Sequence, residues 1–331
     1  MKKKEFLSLH NKEINNLSHR EAMGLPDTFV SSLTDESMSL FNQLRCLSTE
    51  ELVFKLESKE TSLLTKITAG NILALVGDPR ISVFNPSMVS IPAGTFQVGT
   101  EVEKIESLIK EFKEIGVQPD WLKKETPSHS VDLSSFEIAV FPVTNFEYRQ
   151  FLLDSDYNEL PSSWLNGVYP IEKSNHPVYS VSMTGVKKYI AWLNVKAGKN
   201  YRLPTEPEWE VAAGGDRNTQ YPWGDTFCSE KANTLESGIF NTTPVGCFPT
   251  GRSYFKALDM AGDVEEYTAT KAGPYKGGPD IKDDLLLELG EYNIARGGSF
   301  AKFRDLARAA RRHGPYPGPL YAMGFRLAHS I

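Results

Sequence analysis

Arg296-Gly297-Gly298-Ser299-Phe300, followed by Gly324-Phe325-Arg326-Leu327-Ala328, decides how this chain is read. The paired glycines let a strand bend and let a second backbone approach closely. Arg326, in the terminal strand, is expected to hold a buried carboxylate through two parallel hydrogen bonds. Four segments precede these in order: Ile91-Pro92-Ala93-Gly94-Thr95-Phe96, Phe141-Pro142-Val143-Thr144-Asn145, Arg202 to Glu210, and Asp259 to Tyr267. In the third, Thr205 reads as the cap of a helix starting at Glu206, with Pro207 in its first turn. Trp209 and Val211 then face inward, and the helix start is expected to carry buried ion pairs. Trp223-Gly224-Asp225 reads as a tight turn.

Met88 to Pro92 reads as a strand, Ala93-Gly94 as its turn and Phe96 to Gly99 as its returning partner. Ile105, Leu108, Ile109 and Phe112 mark one helical face. Val131-Asp132-Leu133 alternates as a strand, and helices are predicted over 145–153 and 184–194. With 20 prolines and 25 glycines, the pattern is loop-rich α+β rather than a parallel α/β sheet. Residues 1–85 read as a helical extension to a domain over 86–331. Ser48 to Glu51 has capping-box spacing. Leu64, Ile67, Ile72, Leu75 and Val76 follow a helical period interrupted by the polar Asn71, with Gly77 and Pro79 as the stop. Such an extension packs on the main domain, or forms a cap, a dimer surface or a channel wall. Gly273 to Gly290 reads as a surface loop, with a lid as the alternative.

The chain has 331 residues, 40% hydrophobic and 24% charged, as ordinary globular proteins do. A net charge of −6 gives no support for nucleic-acid binding. No apolar run of signal-peptide length follows the basic Met1-Lys2-Lys3-Lys4-Glu5, and none reaches membrane-spanning length. A cytoplasmic protein with no membrane partner is expected. Three cysteines, Cys46, Cys228 and Cys247, form neither a disulfide framework nor a zinc set.

Taken in order, the quoted segments resemble the formylglycine-generating-enzyme-like (sulfatase-modifying factor) family over about residues 86–331. The resemblance implies a C-type-lectin-like fold. It also implies calcium, held by oxygens of a segment that here reads Gly262-Asp263-Val264-Glu265-Glu266-Tyr267, with Asp263, the Val264 carbonyl and Glu266 as ligands. A second calcium position near Asn233 lacks its carboxylates, because 238–245 holds none. In the family's copper-dependent oxidases two cysteines follow the Arg-Gly-Gly-Ser segment. Here no cysteine follows Cys247, so copper, which needs soft thiolates, is not expected.

An iron-dependent branch carries a His-x3-His-x-Glu motif in a helical domain. His19-Arg20-Glu21 matches only its end, with Asn15 where the first histidine belongs. A third branch of tailoring oxidases resembles this chain best, and iron is the expected redox metal if one is used. Ser299 and His313 are the candidate catalytic residues, with His313 as a metal ligand or acid–base group. Lys302 and Arg311, in a region made cationic by Arg304, Arg308 and Arg312, are the candidate substrate-anion contacts. The expected function is oxidative tailoring of an amino-acid, peptide or natural-product metabolite. The alternative is a non-catalytic binding module that uses the cationic segment as its surface.

Overall fold

The computed structural model describes residues 6–30, 37–316 and 321–331; the basic start at Met1 to Glu5 and Pro317 lie outside the described residues. The amino-terminal helices are α1 (His19–Ala22), α2 (Ser37–Leu44), α3 (Thr49–Glu57) and α4 (Leu63–Val76). The capping box at Ser48 is formed: Ser48 Oγ accepts from the Glu51 amide, and the Glu51 carboxylate accepts from the Ser48 amide at 2.7 Å. α4 stops at Gly77, whose φ of 101° suits glycine.

The polar Asn71 that interrupts the apolar period of α4 is a docking contact. Its Oδ1 accepts from His176 Nε2 at 3.1 Å. The neighbouring Gly70 carbonyl accepts from Asn175 Nδ2 at 2.9 Å, and the Ala74 carbonyl from Ser174 Oγ at 2.5 Å. A Cβ at Gly70 would lie 2.4 Å from Pro244 Cγ, so glycine lets α4 seat directly on the following domain. Leu52, Leu56, Ile72 and Leu73 share one apolar cluster with Cys247 and Phe248.

The strands are β1 (Met88–Ile91), β2 (Gly94–Val98), β3 (His129–Leu133), β4 (Phe136–Ala139), β5 (Tyr201–Arg202), β6 (Glu265–Lys271), β7 (Asn293–Arg296), β8 (Met323–Gly324) and β9 (Ala328–Ser330). They form sheets ordered β1-β4-β9-β5, β2-β3 and β7-β6-β8. β1 and β2 are therefore not the hairpin that their spacing predicts. β1 pairs with β4, which sets Ile91 opposite Phe136, both fully buried. β2 pairs with β3, where Thr95 and Gln97 donate to Asp132 and Ser130, each at 2.6 Å. Each strand takes the partner that matches its faces, and this outweighs the short connection.

Between the strands lie α5 (Ile105–Phe112), α6 (Pro119–Lys123), α7 (Asn145–Asp154), α8 (Met183–Ala197), α9 (Glu206–Gly214) and α10 (Asp284–Leu289). α7 and α8 bury Tyr148, Phe151 and Tyr189 against Phe325. Thr205 caps α9 with Glu208 as its capping-box partner, and Trp209 is fully buried. The segment 273–290 is not a plain surface loop. Asp283 and Leu285 are buried, and Tyr275 accepts from Arg296 at 3.0 Å. Among the described residues the three cysteines are free, and no helix is long and apolar enough to cross a membrane.

Candidate functional site

Three arginines fix the 299–313 segment from below. Arg296 donates to Glu206 at 2.6 Å and to Glu210 at 2.9 Å, and Arg312 reaches Glu206 at 2.8 and 3.0 Å. Arg308 grips Glu125 at 2.6 and 3.1 Å. Burial pushes the Glu206 carboxyl up, but the two guanidiniums outweigh it and hold the group below its usual range. The cationic cleft expected from Lys302 to Arg312 is thus largely internal. Arg304, partly exposed, also pairs, with Glu236 at 3.4 Å. Lys302 is the exception: its amine makes no hydrogen bond or ion pair among the described residues, and lies 3.6 Å from the centre of the Tyr321 ring.

Above this base is a recess lined by α6, the start of α10, the 301–306 turn, Arg311, His313, Tyr316 and Tyr321, with Ile14, Asn15 and Ala22 closing one side. Asn15 binds both flanks: its Oδ1 accepts from the Tyr321 hydroxyl at 2.8 Å, and its Nδ2 donates to Asp284 at 2.5 Å. Trp121 Nε1 also donates to Asp284, and Lys124 pairs with Asp283.

His313 is placed by a β-bridge in which its backbone exchanges hydrogen bonds with Ala295 of β7 at 2.8 and 3.1 Å. Its ring stacks on Tyr321 at 10° between planes. Nδ1 lies 2.6 Å from Glu265 Oε2, and a carboxylate only accepts, so Nδ1 carries the proton and Nε2 keeps its lone pair. Burial pulls the His313 pKa below its ordinary range, against the opposing effect of Glu265. Burial likewise lowers the Lys302 amine, against Glu265 and Asp305. A neutral imidazole oriented by a buried carboxylate can take or deliver a proton.

His313, Lys302 and Arg311 line the same recess, while Ser299 does not. Ser299 is fully buried, and its Oγ has no hydrogen-bond partner among the described residues. Arg311 lies in the wall with its Nη1 committed to the Trp121 and Arg312 carbonyls, and its Nε 3.5 Å from Asp305.

The proposed calcium ligands do not gather into a metal set. Glu266 gives one oxygen to Arg326 Nη2 and the other to Arg326 Nε and Trp209 Nε1, all at 2.6 Å. Asp263 accepts from Asn233 and the Thr243 amide at 2.9 Å each, and keeps one oxygen unpartnered. Beside them Val264 is buried. For iron, His313 and Glu265 supply two donors where a facial triad needs three. Among the described residues no group of three or more His, Cys, Asp or Glu could hold a metal ion. Glu265, Asn15 and Trp121 were not singled out from the sequence as site residues. Strand alternation offered one signal, since it must send Glu265 and Glu266 to opposite faces of β6.

A hercynine oxygenase of Mycolicibacterium smegmatis is 30% identical over 265 residues, covering 69% of this chain and 58% of that protein. The match thus takes in little more than half of the relative's length. The mouse inactive C-alpha-formylglycine-generating enzyme 2 is 28% identical over 318 residues, covering 78% of this chain and 92% of that one. The structure of PvdO from Pseudomonas aeruginosa superposes with a TM-score of 0.54 at 28% identity, over 75% of this chain and 95% of that one. Residues 77–331 match the sulfatase-modifying factor enzyme 1-like domain, and with its mixed α+β, loop-rich frame the chain belongs to that formylglycine-generating-enzyme-like family, without a cysteine cluster for copper.

Proposed function

We propose that the recess under Tyr321 is the active site of an oxidative tailoring enzyme acting on an amino-acid, peptide or related natural-product metabolite. The observation that carries this reading is the His313–Glu265 pair, 2.6 Å apart, at the wall of a recess that also holds the Lys302 amine over the Tyr321 ring. His313 Nε2 takes a proton from the substrate. Lys302 and the Arg311 guanidinium supply positive potential for an acidic substrate group. Kinship with a protein named an oxygenase supports oxygen-dependent chemistry.

The test is oxygen uptake with candidate amino acids and peptides, alongside elemental analysis for calcium, iron and copper in protein purified without oxygen. Uptake by the wild type that His313→Ala abolishes, in a variant that still folds, is the expected result. Uptake unchanged in that variant removes the role given to His313.

One observation favours a second reading, a binding module. The mouse relative, matched over nearly its whole length, is named inactive. A stable complex with a partner protein, and no oxygen uptake with any candidate, would select it.

A further inference from the structure

Among the described residues the Lys302 amine makes no hydrogen bond or ion pair, and its contact is the face of the Tyr321 ring. The amine carries three donors when charged, and among the described residues none meets an acceptor. Every arginine from 304 to 312 has a carboxylate or carbonyl partner, so the omission is local to this residue. The backbone around it is fixed: the Lys302 amide donates to the Ser299 carbonyl at 3.0 Å, and its carbonyl accepts from Leu235 at 2.9 Å. The side chain therefore projects from a rigid turn into the recess, over the face of Tyr321. That same ring stacks on His313, so an ammonium and a proton carrier share one aromatic platform.

From this juxtaposition we infer that Lys302 is a nucleophile that forms an imine with a carbonyl-bearing acid, a 2-oxo acid or an aldehyde acid. The inference rests on the recess being the active site and narrows its substrate class. The Lys302 nitrogen attacks the carbonyl carbon, and the carbonyl oxygen takes a proton to give a carbinolamine. A carbon–nitrogen double bond then forms as the carbon–oxygen bond breaks and water leaves. His313 Nε2 carries the protons between nitrogen and the departing oxygen, with Glu265 holding the ring. Arg311, in the wall, supplies positive potential for the carboxylate. No oxidant is consumed. Burial, which keeps the amine less basic than an exposed lysine, supplies free amine for the attack.

The probe is glyoxylate with borohydride, followed by peptide mapping of the full chain. The expected result is a carboxymethyl adduct on Lys302 at about tenfold the level of any other lysine, as a desolvated amine in a recess that also holds a proton carrier should give. His313→Gln should slow Lys302 labelling while leaving the other lysines unchanged, and circular dichroism checks that it folds. Labelling of Lys302 no stronger than that of the exposed lysines overturns the inference. So does Lys302→Arg retaining full turnover of any substrate found by oxygen uptake. Selective labelling without oxygen uptake would instead leave the imine standing and remove the oxidative reading.

Discussion

Glu265 and Glu266 are adjacent on β6, yet Glu265 meets His313 at 2.6 Å and Glu266 meets Arg326 at 2.6 Å, on opposite faces of the strand. Successive side chains of a strand point to opposite sides, so one dipeptide serves both the recess and the core.

On the core side, Glu266→Gln should destabilise the fold by about 3–5 kcal/mol, the usual cost of leaving a buried charge without its partner. Arg326 also donates to the Ala139, Leu258 and Asp259 carbonyls, which keep it in place and uncompensated in this variant. Denaturant unfolding measures the loss; a change under about 1 kcal/mol would mean that the pair contributes little.

On the recess side, Glu265→Gln should spare the fold and change the chemistry. Removing the carboxylate takes away the influence that raises the His313 pKa, while the burial that lowers it remains. If neutral His313 is the base, activity rises as pH rises through its pKa. The acid limb of the kcat/KM profile should then move to lower pH, with a loss of about 10²–10⁴ in rate when His313 itself becomes Ala.

His176 should make stability fall on the acid side of neutrality. It is buried and neutral, accepting from Thr242 at 3.0 Å through Nδ1 and donating to Asn71 through Nε2. Burial, then the Lys173 charge, pull its pKa from 6.5 down to about 3. Between those values the unfolded chain binds the proton and the native one does not, so stability drops by at most about 1.4 kcal/mol per pH unit on descending. Glu147, pushed up by burial to about 7, acts in the opposite sense between its ordinary value and 7, because its native form holds the extra proton. The difference in unfolding free energy between wild type and His176→Gln, followed from pH 7 to 4, isolates the histidine. A flat difference would show that His176 charges freely in the native state.

Gly262→Ala should be among the most damaging single methyl additions. The residue has φ of 79°, and a Cβ would lie 2.3 Å from the Asn233 carbonyl oxygen. Backbone cannot yield as a side-chain tip can, so a loss above about 2 kcal/mol is expected. Gly277→Ala, with a φ of 79° and open space around it, is the control for conformational strain alone. Equal losses in the two would show that the close approach to Asn233 is unimportant.

Much of the frame was legible in the sequence because it is local. The Thr205 and Ser48 caps, the face of α5 and the two-pronged grip of Arg326 follow from spacing and residue chemistry. The Glu266 partner of Arg326 was the contact that spacing could not supply. Without it, Glu266 looked free to bind calcium, and Arg308 and Arg312 looked like part of an open cationic cleft. Their partners, Glu125 and Glu206, stand 183 and 106 residues away. The pairing of β1 with β4 failed in prediction for the same reason. His313 was singled out for its place in the loop that borders the family's cleft, with Tyr316 and Tyr321 nearby, and it lines the recess, whereas Ser299 was chosen for its place in the motif and is fully buried.

Asn15 and Tyr321 join across a separation of 306 residues. A nascent chain can therefore complete α4 and most of the strands while the pocket still lacks its wall. The pocket is enclosed only after β8 has emerged and the amino-terminal segment has been recruited onto Tyr321. Late completion leaves Lys302 and His313 without a shaped site until the remainder of the molecule is in place.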